Sequence, residues 1–293
     1  MRIVPASPTL RTGARRVGFL VLVLAMIALI PLRALAHADV LGLIAEVNER
    51  IRTNGLSGEL LLARADLHRV HQDWPAALRD YEAAEKMRPG MPPVAHGRAL
   101  VLAISGRLAE ARDIFDALVQ REPTNVSFLL GRARVLAQLN QPPPAIADYT
   151  AALALTKNPA AEDFLERAKL QAVVAGPAVA LRGLDEGLAR LGWTLTLQRL
   201  AVDYAAASGN VDDALMRLET IQARSNRSEQ WLVVKAEILA QAGRRAEARE
   251  VYAAALTAIA ALPPRMAQAA QMTALRSKIE RAQAKLATAD RGK

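Results

Sequence analysis

The sequence contains no cysteine and few aromatic residues, and these two scarcities exclude several kinds of protein. Without a thiol, the chain can form no disulfide, use no cysteine nucleophile and bind no metal through thiolate. Aromatic residues make up only 4 % of the chain, whereas sandwiches and barrels are rich in aromatic and β-branched strands. With 52 % hydrophobic residues the chain is nevertheless expected to fold, and this composition predicts an all-α protein.

The main part of the sequence also lacks a strong excess of charge, although the formal net charge of the whole chain is +9. Five arginines stand among the first 36 residues, which contain no acidic residue. Subtracting these five charges leaves +4 for the rest of the chain, which is too dilute to indicate a phosphate-binding surface. We therefore expect no nucleic acid among the partners.

The first 36 residues have the order of a secretory signal peptide. A basic, polar stretch (1–16) precedes an apolar run (17–32), and Ala34 and Ala36 follow at the positions that a signal peptidase reads. The apolar run is 16 residues long, shorter than the roughly 20 that a membrane-spanning helix needs. We expect export to the periplasm or cell envelope with cleavage after Ala36, and an uncleaved anchor formed by residues 17–32 is the alternative. Two adjacent arginines before the run leave both the Sec and the twin-arginine routes open.

The rest of the chain repeats at an interval of 34 residues, visible in three columns of equivalent positions. The first column is small: Ala77, Ala111, Ala145, Ala180, Ala214 and Ala248. Four residues later each unit carries a large residue: Tyr81, Phe115, Tyr149, Leu184, Leu218 and Tyr252. Twelve residues before the first column stand Ala65, Ala99, Ala133, Ala168, Val202 and Ala236. Small residues let two helices approach closely, and the large residue fills the space beside the next pair.

Turn-forming residues separate twelve predicted helices, arranged as six hairpins. Between the two helices of a hairpin stand segments that contain Pro75, Gly106, Pro142, Gly176, Gly209 and Gly243. Glycine suits the left-handed residue that ends a helix, and proline suits the first turn of the next helix.

These columns resemble the tetratricopeptide repeat, and the resemblance covers residues 58–262. It implies a right-handed superhelical solenoid of about six helix-turn-helix units, starting near Gly58, Pro92, Val126, Ala161, Leu195 and Glu229. Residues 37–57 and 263–293 are predicted to supply flanking capping helices. The pattern is weakest where Gln171, Gly187 and Gln198 stand at positions that are bulky or small in the family. A pentatricopeptide array, which reads RNA, has nearly the same period, but the alanine columns favour the tetratricopeptide pattern.

The sequence shows no arrangement of residues that predicts catalysis, a metal site or a cofactor. His68 and His71 share a helix face at a spacing that permits a metal pair, but a histidine near a helix end is more often simply exposed or packed. No nucleophile motif and no phosphate-binding loop occurs. We expect no enzyme; a metal-dependent or hydrolytic enzyme that uses the region of His68 and His71 is an alternative.

The resemblance further implies that a protein or peptide partner lies on the concave face, which the first helix of each unit lines. The family positions that line this face correspond here to Leu62, Asp66, His96, Leu100, Leu130, Arg134, Leu165, Lys169, Arg199 and Asp203. The set does not match the lysine and asparagine pattern with which some members bind a carboxyl terminus. Arg134 and Lys169, beside Leu130 and Leu165, predict a partner segment with acidic and apolar side chains.

One column on the first helices is unusually basic, at Arg64, Arg98, Arg132, Arg167 and Lys235. We expect the aliphatic stems to cover the helix seam while the charged heads contact acids such as Asp80 and Asp148. A charged ridge that binds a ligand is the alternative.

Taken together, these features predict a non-enzymatic scaffold for protein–protein interaction in the periplasm or cell envelope. A module that binds envelope polysaccharide or lipid is a further alternative, for which the sequence has no specific mark. The identity of the partner is not encoded in any motif of the sequence.

Overall fold

A computed structural model describes residues 32–291 of the chain and the side chains of residues 39–288. All regular structure in this range is helical, which confirms the predicted fold class. Most of the predicted signal peptide, residues 1–36, lies outside the described residues.

The chain divides into two compact units, residues 1–114 and 115–293, and the division falls inside one helix. The described helices of unit 1 are α1 (Leu32–Asn54), α2 (Gly58–Val70), α3 (Trp74–Met87), α4 (Pro92–Ile104) and the first half of α5 (Leu108–Arg121). Unit 2 continues with the second half of α5 and then α6 (Val126–Gln138), α7 (Pro142–Leu155), α8 (Ala161–Ala175), α9 (Pro177–Leu191), α10 (Leu195–Ala207), α11 (Val211–Ala223), α12 (Glu229–Gln241), α13 (Arg245–Ala260), α14 (Pro264–Ala267) and α15 (Ala270–Arg291).

Consecutive helices pack as pairs within each unit. In unit 1, α2 packs on α3; in unit 2, α6 packs on α7, α8 on α9, α10 on α11 and α12 on α13. The first helices of neighbouring pairs also contact each other: α2 contacts α4, and α8 contacts α10. Each unit therefore presents a surface built from successive first helices.

Left-handed backbone conformation at one residue closes the first helix of each pair. Glycine provides it at Gly106, Gly176, Gly209 and Gly243, where φ lies between 78° and 84°. Gln72 and Asn140 take the same place in α2–α3 and α6–α7 with φ of 65° and 55°. The turn geometry is thus kept even where the sequence offers no glycine.

The two alanine columns lie at the helix contacts. Every alanine in them is fully buried, and Val202 is 2 % exposed. Large buried residues surround them, including Tyr81 in unit 1 and Phe164 and Leu184 in unit 2. A methylene added at these alanines would have no free space, because the helices approach each other at these points.

The positions that depart from the family pattern have local explanations in α8 and α9. Gly187 lies beside Phe164 and Leu197, so closely that a Cβ atom would be 2.9 Å from Phe164 Cγ. Gln171 covers Gly183, where a Cβ atom would be 2.5 Å from its Oε1. In both places a larger side chain on one helix fills the space that a glycine leaves on the other.

The terminal helices differ in part from the predicted ones. The capping helix predicted within residues 37–57 lies within the longer α1, whose Ile44 and Val47 are buried and which packs on α2. In the segment 263–293, where a second capping helix is predicted, the structure has the short α14 followed by α15. The break at Gln268 and Ala269 lets α15 bury Met272 and Ile279 against α12 and α13.

Candidate interaction surface

The ten residues predicted to line a binding groove fall on first helices in both units. In unit 1, Leu62 and Asp66 lie on α2, and His96 and Leu100 lie on α4. In unit 2 they lie on α6 (Leu130, Arg134), α8 (Leu165, Lys169) and α10 (Arg199, Asp203). The contacts between α2 and α4, and between α8 and α10, bring residues of each set onto a shared surface.

In unit 1, Asp66 is part of a partly buried hydrogen-bond network. The hydroxyl of Tyr81 donates to Asp66 Oδ1 at 2.7 Å, and Arg69 Nε donates to the Tyr81 hydroxyl at 3.3 Å. Burial raises the pKa of Tyr81, and the bond to Asp66 raises it further. Burial and the nearby Arg69 lower the pKa of His96, so this histidine stays neutral near neutral pH. Unit 1 thus offers an acid and a neutral imidazole instead of a cationic surface.

In unit 2, Arg134 is shared between the protein interior and the solvent. Its Nη2 donates to Asp163 Oδ1 at 3.0 Å; the Asp163 side chain is 7 % exposed, whereas that of Arg134 is 51 % exposed. Burial raises the pKa of the neighbouring Tyr149 to about 12, while Arg134 acts in the opposite direction. Arg134 therefore neutralises a buried carboxylate and contacts the buried Tyr149, while about half of its side chain stays exposed.

Lys169 and its neighbours give the same surface its exposed charges. Lys169 Nζ contacts Glu166 Oε1 at 2.6 Å on the same helix, which raises the pKa of Lys169, and its side chain remains 54 % exposed. Tyr204 on α10 lies close enough for Lys169 to act on the pKa of its phenol. Arg199 and Asp203 are exposed one turn apart. Exposed pairs of this kind contribute little stability, so their charges are available to a ligand.

The leucines predicted as apolar anchors are partly buried. Leu62 packs against the core of unit 1 and Leu165 against that of unit 2, and Leu100 and Leu130 are also half-buried. Only part of each side chain faces solvent. They can add a limited apolar contact area but are not protruding anchors.

Buried tyrosine hydroxyls recur beneath polar residues of the first helices in both units, and the sequence interpretation did not identify them. Tyr81 and Tyr149 follow Asp66 and Arg134 by 15 residues, and Tyr252 follows Glu237 by the same interval. Their rings are buried, but the phenol of each interacts with that polar partner. The signal was present in the sequence, since each tyrosine belongs to the column of large residues and its partner carries a charge.

The basic column behaves as predicted at Arg64 and Arg132. Arg64 makes a two-nitrogen contact with Asp80 at 2.6 and 2.7 Å, and Arg132 makes the same contact with Asp148 at 2.7 and 2.8 Å. Arg167 pairs with Glu186 at 2.6 Å, and Lys235 pairs with Glu219 at 2.8 Å. Arg98, the remaining member of the column, has Ile114 and not an acid 16 residues later.

The histidines considered as a metal pair have other surroundings. His68 is partly buried, and its two ring nitrogens lie 3.9 Å from Asp73 Oδ2 and from Asp80 Oδ2. Within residues 39–288, no group of three or more histidine, aspartate or glutamate residues has the arrangement of a metal site. In the part of the chain that the structure describes, no helix is both long and apolar enough to span a membrane.

A family model for the tetratricopeptide repeat matches residues 62–126, 99–162 and 199–263, which together make up more than half of the chain. No curated protein sequence matches the chain significantly. Several solved structures of tetratricopeptide repeat proteins have a similar fold. One from Cytophaga hutchinsonii is 14 % identical, with a TM-score of 0.63 over 78 % of this chain and 93 % of the other.

Two further structures have comparable similarity. A tetratricopeptide repeat protein from Parabacteroides merdae is 16 % identical, with a TM-score of 0.53 over 83 % of this chain and 94 % of the other. YrrB, a tetratricopeptide repeat protein with an unusual peptide-binding site, is 19 % identical, with a TM-score of 0.52 over 60 % of this chain and 91 % of that protein. At these identities the similarity shows a shared fold.

Proposed function

Since the chain belongs to the tetratricopeptide repeat family, whose fold generally serves as a scaffold for protein–protein interaction, we propose that it binds a partner protein and performs no catalysis. The binding surface of this proposal is the first-helix face of unit 2, formed by exposed residues of α6, α8 and α10. The observation that carries it is the group of three exposed cations there: Arg134, Lys169 and Arg199.

The charges on this face favour an acidic partner segment. Arg134 contributes only one nitrogen to the buried Asp163, and Lys169 is held by an exposed pair within its own helix. A partner carboxylate could bind the exposed part of the Arg134 guanidinium without breaking the internal ion pair. Arg199 extends the basic surface onto the neighbouring helix α10. Half-buried Leu130 and Leu165 add a limited apolar contact beside the charges.

The structure also decides which substitutions test the proposal cleanly. Arg134→Glu would place a second carboxylate beside buried Asp163 and would destabilise the fold whether or not the residue binds a partner. Lys169→Glu and Arg199→Glu change exposed side chains and avoid this problem. Lys157→Glu and Arg182→Glu form a matched control, since they make the same change of charge at exposed positions away from the first helices.

The experiment is a selection of random peptides displayed on phage against the immobilised protein. We expect enrichment of segments that combine aspartate or glutamate with leucine, isoleucine or phenylalanine. A selected peptide should bind the Lys169→Glu, Arg199→Glu variant at least about tenfold more weakly, which corresponds to about 1.4 kcal/mol. Its affinity for the Lys157→Glu, Arg182→Glu control should stay close to wild type. Peptides without acidic residues, or equal losses in both variants, would refute the assignment.

We further propose that the chain is exported and that its first 36 residues are removed. The support is the order of basic, apolar and small residues in the sequence. A chain that starts at His37 would keep Ile44 and Val47, the two buried residues of α1. Mass spectrometry of the protein purified from its native envelope fraction should find His37 at the amino terminus; an intact chain beginning at Met1 in the cytosol would contradict export.

A further inference from the structure

Within the basic column, Arg98 differs from Arg64 and Arg132 in its partner, and among the described residues no carboxylate of the kind that pairs with Arg167 or Lys235 replaces it. Arg64 and Arg132 each bind, through Nε and Nη2, an aspartate that stands 16 residues later on the second helix of the pair. Arg98 takes the same place on α4, but the residue 16 positions later is Ile114 on α5. No side-chain carboxylate is therefore present at the position that Asp80 and Asp148 occupy in the other two pairs.

The guanidinium of Arg98 is incompletely satisfied as a result. Its Nε is buried and has no hydrogen-bond partner among the described residues. A buried donor without an acceptor destabilises the protein, so a group that accepts this bond would bind favourably. The equivalent Nε atoms of Arg64 and Arg132 donate to carboxylate oxygens at 2.6 and 2.7 Å.

A cleft of about 310 Å³ lies beside this guanidinium, entirely within unit 1. Its lining residues are Glu82, Arg98, Leu102, Arg107, Glu110, Asp113 and Ile114. Arg107 binds Glu110 through two nitrogens at 2.6 Å, and Asp113 accepts from Arg112 at 2.7 Å. The charges of these two acids are thus largely compensated by their own arginines, although Arg98 also contributes to the lowered pKa of Glu110. Arg98 lines the cleft, and its buried Nε keeps a donor without an acceptor.

We propose that this cleft binds a ligand carboxylate, which takes the place at Arg98 that Asp80 takes at Arg64 and Asp148 at Arg132. The carboxylate accepts from Nε and Nη2 in the two-nitrogen geometry of those pairs, and Leu102 and Ile114 contact the ligand's carbon chain. This site is separate from the first-helix face of unit 2 and does not depend on it.

The other charges of the cleft limit the kind of ligand. Glu82 lies on the lining and affects the pKa of Arg107, so negative charge is already present near the entrance. A polyanion would be repelled, whereas a single carboxylate on a short aliphatic chain fits both charge and volume. Two sources provide this group: a small carboxylic acid, or a glutamate or aspartate side chain of a partner protein.

The test follows the Arg98 Nε–H resonance by NMR in protein labelled with nitrogen-15, assigned through its loss in Arg98→Gln. The probes are valerate, a capped tetrapeptide with one glutamate among three alanines, and valeramide as the uncharged analogue. We expect a saturable shift with at least one of the two carboxylates and none with valeramide. Saturation by valerate indicates a small acid as a sufficient ligand, and saturation by the peptide alone indicates a partner side chain; either result supports the site.

Two variants at Ile114 make the test decisive. Ile114→Asp supplies the missing carboxylate within the chain and should weaken ligand binding at least about tenfold while raising the midpoint of thermal unfolding. Ile114→Val keeps an apolar side chain and should bind within about twofold of wild type. The proposal is overturned if neither carboxylate gives a saturable shift, if valeramide gives an equal shift, or if the affinity is unchanged in Ile114→Asp.

Discussion

At two consecutive helix pairs of unit 2, an aromatic ring packs on a glycine, but the two residues stand at different positions of the repeat. Beside pair α6–α7, the large aromatic residue is Phe115 on α5, and it packs on Gly131 of α6. In pair α8–α9, the aromatic residue is Phe164 on the first helix, and it packs on Gly187 of the second. The first contact joins adjacent repeats and the second lies within one pair, but in both an aromatic ring fills the space that a glycine leaves. The repeat therefore conserves complementary volume more strictly than residue type at each position.

The same two helix pairs also differ in the carboxylates that bind the equivalent arginines, Arg132 and Arg167. Arg132 binds Asp148 and also Asp116, and its side chain is 23 % exposed. Gly183 stands where Asp148 does, and the equivalent Arg167 is only 4 % exposed. Arg167 uses Glu186 at 2.6 Å and the carbonyl of Gly183 at 3.3 Å, and its guanidinium lies 5.5 Å from the centre of the Phe164 ring. The second pair therefore depends on one carboxylate where the first has two.

The largest effect is expected from Gly131→Ala. A Cβ atom at Gly131 would overlap the buried ring of Phe115, so the substitution should destabilise the protein by about 2 to 3 kcal/mol. Denaturant unfolding followed by circular dichroism measures this loss. Gly42→Ala is the matched control, because it lies in α1 with no atom within 4 Å of the added methyl group, and alanine there should be neutral or stabilising by up to about 1 kcal/mol. Equal midpoints for the two variants would contradict the packing account.

Losses of stability of intermediate size are expected when a carboxylate partner of Arg167 or of Arg132 is neutralised. Glu186→Gln leaves the buried Arg167 without its carboxylate and should cost about 2 kcal/mol, whereas Asp148→Asn leaves Arg132 with Asp116 and should cost about 1 kcal/mol. The same unfolding measurement compares them. A larger loss for Asp148→Asn would show that burial of the arginine matters less than the two-nitrogen contact.

The smallest effect concerns the glycine of the second pair. Gly187→Ala brings a methyl group to 2.9 Å from Phe164 Cγ and 3.1 Å from Leu197 Cδ1, so small shifts can relieve it at a cost of about 1 kcal/mol. In the double variant with Phe164→Leu, the smaller side chain should accommodate the methyl group. A double-mutant cycle should then show a favourable coupling of about 0.5 kcal/mol or more. Strictly additive losses would mean that the two residues do not compensate each other.

The sequence predicted the parts of this fold that repeat in every unit. The alanine columns could be recognised because each member meets the same close contact, and all of them are buried. The contact between Phe115 and Gly131 was missed, since it joins residues of adjacent repeats and neither residue type recurs in all six units. The contact within α8–α9 was visible only as a departure at Gly187, because its partner Phe164 stands 23 residues earlier.

The candidate site was predictable as a set of positions but not as a set of interactions. Arg134 and Lys169 were placed on first helices from the repeat alone. The pairing of Arg134 with Asp163, 29 residues later, depends on how neighbouring repeats pack, which the periodicity does not specify. The exception at Arg98 could have been found by comparing Ile114 with Asp80 and Asp148, one repeat to either side.

The most direct test of the central claim, that the first-helix face of unit 2 holds a partner protein, is site-specific photo-crosslinking in the native cell. The photoreactive residue benzoylphenylalanine replaces Lys169 in one variant and Arg182 on the second helix α9 in another; both positions are exposed. The account predicts a discrete crosslinked species, containing a second protein, at position 169 and none at position 182. A crosslink at position 182 with none at position 169 would contradict it.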